Sequence, residues 1–326
     1  MCTRYKSLFA LKRKGVVMKS MKTIVGLLSL FFAVNGFAQG SLTPPGAPAP
    51  VMKTLDQIES RTAIMEIPYV ISEPGSYYLT TNLNSTGGGI DIQANHVSLD
   101  FNGFTITGSR NTSFHGVTAG MTWTNIQAIA IKGGMITEFG NGIFIRNTDT
   151  LLVQNMIIVR NAINGIQVYP YQGNARGNKI SECLIGNNGG IGIYFSPVSG
   201  ECSGNIIEDC TIRGNQGYGI CMYGNSGSCF DNILQRNNIG DNVDCGVNVS
   251  EDADLIQDNH VWRQRGVSSC GIYAWGGGSF VARNMCAGNT NNYTFGPDVT
   301  FGPVVTNTGV LPTTGAAAHP QANFSR

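Results

Sequence analysis

The chain has 326 residues, room for one large or two ordinary domains, with 43 Gly, 13% charged residues and a formal net charge of +1. A sequence this rich in Gly and Asn, with β-branched residues between them, is a poor helix former and reads as all-β. Its basic residues form no cluster beyond the N-terminus, which argues against nucleic acid as a partner.

The first 38 residues hold Arg4, Lys6, Lys12, Arg13, Lys14, Lys19 and Lys22, no acid, and the apolar run Ile24 to Val34. Gly36 and Ala38 then place small residues before Gln39. This is the pattern of a secretory signal over residues 1–38, whose start could equally be Met18 or Met21, and its apolar run is too short to span a membrane. With those seven cations removed, 14 basic and 20 acidic residues leave a net charge of −6. The expectation is a secreted or cell-surface protein with no membrane span after cleavage.

Residues 39–62 contain Pro44, Pro45, Pro48 and Pro50 and read as a stiff linker. Ile64 to Leu83 is expected to cap the open end of a repeat region, and Asn95 to Thr107 and Ile126 to Ile136 read as its irregular first coils.

From there a Gly-aliphatic step recurs at Gly142-Ile143, Gly165-Ile166, Gly192-Ile193, Gly219-Ile220, Gly246-Val247 and Gly271-Ile272, at spacings of 23, 27, 27, 27 and 25. A second series keeps step with it, through Ile180 to Ile185, Ile207 to Ile212, Leu234 to Ile239 and Ile256 to Val261. Repeats of this length mean a solenoid. After each Gly the first and third residues are apolar and the second varies, which is a short strand with one buried face. Leucine-rich repeats would need regularly spaced Leu, and helical repeats are broken by Asn141-Gly142, Asn164-Gly165 and Asn188-Gly189. The prediction is a single-domain right-handed parallel β-helix over residues 63–290, with coils of about 22–31 residues and a C-terminal cover or tail over 291–326. The six residues Ile143, Ile166, Ile193, Ile220, Val247 and Ile272 should form one inward ladder, and Asn and Gly should supply the left-handed torsions of the corners.

Eight of the nine Cys lie between Cys183 and Cys286, and an even number in an exported chain points to disulfides. The period stacks Cys183 with Cys210, Cys202 with Cys229, and Cys245 with Cys270. In-register side chains on parallel strands point the same way and strain an S–S torsion, so a pair in a turn should oxidise first. Gly200 to Gly204 and Gly224 to Ser228 read as turns, which ranks Cys202–Cys229 first, Cys245–Cys270 second and Cys183–Cys210 last, with Cys221 and Cys286 free.

Met52 to Ile58 (MKTLDQI), Pro74 to Leu79 (PGSYYL), Leu99 to Gly103 (LDFNG), Phe301 to Val305 (FGPVV) and Ala322 to Phe324 (ANF) resemble exported bacterial right-handed parallel β-helix repeat proteins of pectin-lyase-like fold. The resemblance covers most of residues 50–326 and implies the fold. Polysaccharide-active solenoids of this kind carry clustered acids with Arg, or several Asp on adjacent rungs. Asn147-Thr148-Asp149 is similar to the polygalacturonase signature, and Glu208-Asp209-Cys210 to its second acidic pair. Here, however, Asp149 and Asp209 stand 60 residues apart, and the later His and Arg-x-Lys motifs are missing.

The densest acids, Asp241, Asp244, Glu251, Asp252, Asp254 and Asp258, could offer oxygens to Ca²⁺ if stacked turns brought them together, with solvated loop carboxylates as the alternative. No other cofactor is implied: His96, His115, His260 and His319 have no ligand spacing.

The outward positions are more informative. Two after each Gly come Phe144, Gln167, Tyr194, Cys221, Asn248 and Tyr273, and four after come Arg146, Tyr169, Ser196, Tyr223, Ser250 and Trp275. Phe144, Arg146, Tyr169, Tyr194, Tyr223, Tyr273 and Trp275 should therefore share one exposed sheet, suited to the flat C–H faces of sugar rings. The expected function is binding of extracellular polysaccharide along that sheet. The alternatives are a polysaccharide lyase or glycoside hydrolase, needing carboxylates about 5 to 10 Å apart in one groove, and a structural or adhesive surface protein with a flat, polar exterior.

Overall fold

A computed structural model describes residues 60–121, 125–224, 226–306 and 315–326. The expected signal and nearly all of the expected linker lie outside them. All the regular structure described is parallel strand, short apart from two strands of 12 residues, except for a single 3-10 turn at Gly315–Ala318.

Each coil contributes strands to three stacked faces. One face is a ten-stranded parallel sheet running from Tyr69–Ile71 to Asn291–Phe295. The other two are joined in a 20-stranded sheet, because the 12-residue strands Ile126–Thr137 and Thr148–Val159 each run through both. A three-stranded sheet, Asn174–Arg176, Glu201–Ser203 and Ser228–Phe230, fills one connection.

The predicted ladder is present. Ile143, Ile166, Ile193, Ile220, Val247 and Ile272 pair in register on consecutive coils, and all six are fully buried. The second series supplies the other two inner walls: Ile180, Ile207, Leu234 and Ile256 stack on one face, and Ile185, Ile212, Ile239 and Val261 on the other. Each side chain taken from water contributes roughly 1.5–3 kcal/mol, so many short strands make one cooperative core.

The two ends are wound into the same stack. Thr62–Ile64 pairs with Gly75–Leu79, and Asn323–Ser325 returns to pair with Met285–Ala287.

The corners bear out the expectation in part, since Asn and Gly share the left-handed torsions with other polar and charged residues. The left-handed residues include Asn187, Glu182, Asp209, Arg236, Asp258 and Arg283, with Gly at Gly177, Gly204 and Gly214, whereas the repeat glycines have ordinary torsions. Those glycines are needed for space. A Cβ on Gly192 would stand 2.5 Å from the Gly219 carbonyl oxygen and 2.9 Å from Asn215 Nδ2. Gly is therefore selected where neighbouring coils approach most closely, and the torsion is carried by polar residues elsewhere.

Along the regular coils most left-handed residues are followed by an inward Asn or another small polar residue, and these stack into three ladders. In one, Asn161, Asn188 and Asn215 each pass an Nδ2–H to the Oδ1 of the next member, ending on Asn242, at 2.9–3.0 Å. The same Oδ1 atoms accept backbone N–H from the preceding coil at 3.0–3.2 Å. A second ladder runs Asn178, Asn205, Asn232, Asp254, Ser279, and a third runs Asn237, Asn259, Asn284, Asn323.

Asp254 breaks the pattern. Its Oδ1 accepts two bonds from Asn232, at 2.8 and 3.0 Å, while Oδ2 is buried with no partner. Burial pushes its carboxyl up to about 7, against the opposing pull of the Asn232 hydrogen bonds. The folded state thus holds a proton that the unfolded chain releases near pH 4, so this group's contribution to stability is greatest below about pH 4 and is lost as pH rises to about 7. Asp254→Asn should restore the amide donor and remove this dependence. Thermal unfolding from acid to about pH 8 should show the variant gaining on the order of 4 kcal/mol over the parent at the alkaline end, with little difference at the acid end. Parallel pH profiles for the two proteins would refute the assignment.

Candidate functional site

The outer surface of the ten-stranded sheet carries the predicted positions in the predicted phase. Phe144, Gln167, Tyr194, Cys221, Asn248, Tyr273 and Thr294 lie in register down its centre. The aromatics nevertheless divide into two groups rather than one strip.

Towards the N-terminal end, Phe144 stacks on Tyr169 with ring centroids 6.0 Å apart and on His115 at 4.7 Å. His115 Nδ1 lies 3.2 Å from the Asn141 backbone N–H, and burial lowers its pKa. Nδ1 therefore accepts, which leaves the proton of the neutral ring on Nε2. Arg146 turns over the Tyr171 ring at 5.8 Å.

Towards the C-terminal end the surface hollows into a cavity of about 600 Å³. Tyr194, Cys221, Asn248, Tyr273 and Thr294 form its floor, Tyr223 and Ser250 line one side, and Ile191, Tyr218, Cys245, Cys270 and Asn291 line the other. Trp275 lies beside it, nearly parallel to Tyr273 at 5.8 Å and 9°. Tyr223 and Trp275 are 48% and 50% exposed, unusual for large rings on a folded surface.

Two expected outward residues are covered. Cys221 has the right register but is buried, because its short side chain sits on the floor beneath taller tyrosines; burial pushes its thiol up to about 12. Ser196 is also buried, with its hydroxyl 3.4 Å from the Gln167 amide nitrogen. Tyr218 and His115 escape the sequence reading. Both stand immediately before the column of repeat glycines, the position that Cys245 and Cys270 occupy on later coils, so the signal was present.

The cavity wall contains the one disulfide found among the described residues, Cys245–Cys270, with Cα atoms 4.4 Å apart. This corrects the ranking. Cys202 and Cys229 lie not in turns but in the strands Glu201–Ser203 and Ser228–Phe230, directly in register and unbonded. Cys245 precedes its strand and Cys270 is the first residue of Cys270–Ala274, so the bonded pair sits at the strand edge and not at a strand centre. Cys183 and Cys210 are also unbonded, their thiols 3.1 and 3.2 Å from the carbonyls of Ser181 and Glu208. Cys221 and Cys286 are free as expected.

The acids do not converge. Asp241 pairs with Arg263, Asp258 with Arg283, Asp254 is inside the ladder, and Glu251 accepts the Gly224 N–H at 3.0 Å. Among the described residues no three His, Cys, Asp or Glu side chains are arranged to hold a metal ion. Glu208, with Asp209, lies on a different face from the cavity, where Lys179 and Arg236 ion pairs and the Gln235 amide hold it well below the usual carboxylate range. Asp149 is taken by the Arg176 backbone N–H and the Asn125 amide.

A family model described as right handed beta helix region matches residues 80–232 and 200–290, and the chain belongs to that family. Solved structures similar in fold include the Dettilon tailspike protein, at 17% identity over 81% of this chain and 61% of that one, with a TM-score of 0.49. A mutant of the periplasmic alginate epimerase AlgG is 12% identical over 79% and 75%, at 0.50, and pectate lyase Pel9A is 14% identical over 78% and 66%, at 0.41. The chain thus spans about three fifths of the tailspike. No curated protein matches it significantly in sequence. Among the described residues no helix is long and apolar enough to cross a membrane.

Peptide mapping without reduction should find Cys245 linked to Cys270, with Cys202, Cys229, Cys183 and Cys210 alkylated only after unfolding. A Cys202–Cys229 peptide would contradict the strand placement of that pair.

Proposed function

We propose that this chain is an exported β-helix protein that binds extracellular polysaccharide in the groove lined by Tyr194, Tyr223 and Tyr273, with Trp275 as its exposed edge. The observation that carries the reading is the groove itself: a cavity of about 600 Å³ whose floor and sides combine four tyrosines with Asn248, Ser250 and Thr294. Aromatic faces accept the C–H faces of sugar rings, and small amide and hydroxyl groups between them serve ring hydroxyls. The nearly parallel Tyr273 and Trp275 rings form a ledge on which an extended chain could continue. Phe144, Tyr169 and Arg146 lie further along the same sheet, as an extension for a longer glycan.

A flat adhesive surface fits less well, since the face is indented. The lyase or hydrolase alternative needs converging carboxylates, and the residues lining the groove include none.

The double substitution Tyr223→Ala and Trp275→Ala tests the proposal. Both side chains are half exposed, so stability should change by no more than about 0.5 kcal/mol each. Glycan affinity, measured by calorimetry on a polysaccharide selected from a binding panel, should fall at least about tenfold. Equal affinity in the double variant would place the glycan elsewhere.

A further inference from the structure

The lining of the groove contains Tyr, Asn, Ser, Thr, Ile and Cys, and not one Lys, Arg, His, Asp or Glu. We infer that its ligand is a neutral glycan, built of uncharged hexose or pentose units, and that polyuronates are disfavoured there; this rests on the polysaccharide reading of the same groove.

A polyuronate brings a carboxylate with each ring. Placing one against aromatic walls removes water from it, at a cost of several kcal/mol unless a cation or several donors replace the lost hydration. Among the described residues the lining of the groove includes no cation. Arginines on nearby coils lie on other faces: Arg236 pairs with Glu208 and Asp209, Arg263 with Asp241 and Arg283 with Asp258, and Arg213 ends the strand Thr211–Arg213 of the 20-stranded sheet. Arg265 donates to the Asp241 carbonyl at 2.6 Å. Arg146 is held over Tyr171, outside the groove.

Charges adjoining the lining residues in the chain have the wrong sign for an anionic ligand. Asp244 adjoins Cys245 in one wall, and its charge helps to raise Tyr218 and Cys221. On the other side Glu251 follows Ser250 and accepts the N–H of Gly224, next to Tyr223. Two carboxylates thus flank a neutral floor, and a chain of like charge would be repelled from both sides. Sugar hydroxyls meet no such penalty. Tyrosine hydroxyls and the Asn248 and Asn291 amides can each donate and accept, as a hydroxyl-bearing ligand requires.

The full chain should be titrated calorimetrically with cellohexaose, xylohexaose and mannohexaose as neutral probes, and with hexagalacturonate and hexamannuronate as anionic ones. Each titration is run at low and high salt, with and without Ca²⁺, on the parent and the Tyr223→Ala, Trp275→Ala variant. At least one neutral probe should bind, with affinity changing less than about twofold with salt, because no ion pair is screened. That binding should fall at least about tenfold in the variant, and the anionic probes should bind at least about tenfold more weakly than the best neutral one. An anionic probe that binds as tightly, weakens with salt or requires Ca²⁺, and is lost in the variant would overturn the neutral-ligand inference while leaving the polysaccharide groove intact. Binding by none of the probes would overturn the polysaccharide reading and this inference with it.

Discussion

The structure depends on the carboxamide of one residue per corner. Where a coil turns, backbone N–H and C=O groups face an interior that water does not reach, and each must find a partner. A left-handed residue makes the bend and the next residue, usually Asn, points inward. Asn188 shows the complete set: Oδ1 accepts the backbone and side-chain N–H of Asn161, and Nδ2 donates to Asn215 Oδ1 and the Ile158 carbonyl. One side chain thereby ties the coil before it, through backbone and side chain, to the coil after it. Three such ladders tie the corners, and the aliphatic ladders fill the space between.

The same constraint explains the irregularities. The coil period shortens from 27 between Asn205 and Asn232 to 22 between Asn232 and Asp254, yet the ladder contact survives. The lost residues come from the connection after Val247–Val249, so the three-stranded sheet ends there with a single bridge from Phe230 to Asp252. Asp254 occupies an amide site as a carboxyl and has one oxygen too few partners. Cys183 and Cys210 stand at the equivalent corner, above Asn237, whose Oδ1 accepts the Cys210 N–H at 3.1 Å. As thiols bonded to nearby carbonyls they extend the third ladder rather than cross-link it.

With the interior so determined, the outside is free to vary, and there the chain differs from coil to coil. On the corner preceding the third ladder, Asp209, Arg236, Asp258 and Arg283 alternate in sign and pair. Exposed pairs of this kind add little stability, but they occupy the cations of that region. The C-terminal part of the ten-stranded face instead receives aromatic and small uncharged residues. Tall tyrosines beside Cys221, Asn248 and Ser250 create relief, and that relief is the groove.

The fold was legible in the sequence because a solenoid writes its geometry as a period: Gly-Ile steps and inward Ile, Val and Leu repeat at the coil length, and side-chain direction alternates residue by residue. The face carrying Tyr194, Tyr223, Tyr273 and Trp275 followed from that alternation alone. What the period could not convey was height and path. It did not show that Cys221 would be covered while Tyr223 stood clear, since exposure depends on the size of neighbours on adjacent coils. It stacked Cys202 on Cys229 but did not show that strands rather than turns held them, and so misplaced the disulfide. It marked the repeat Gly without telling a torsional need from a steric one. Those distinctions arise between coils, where side chains distant in sequence share the same few ångströms, and only the tertiary structure decides them.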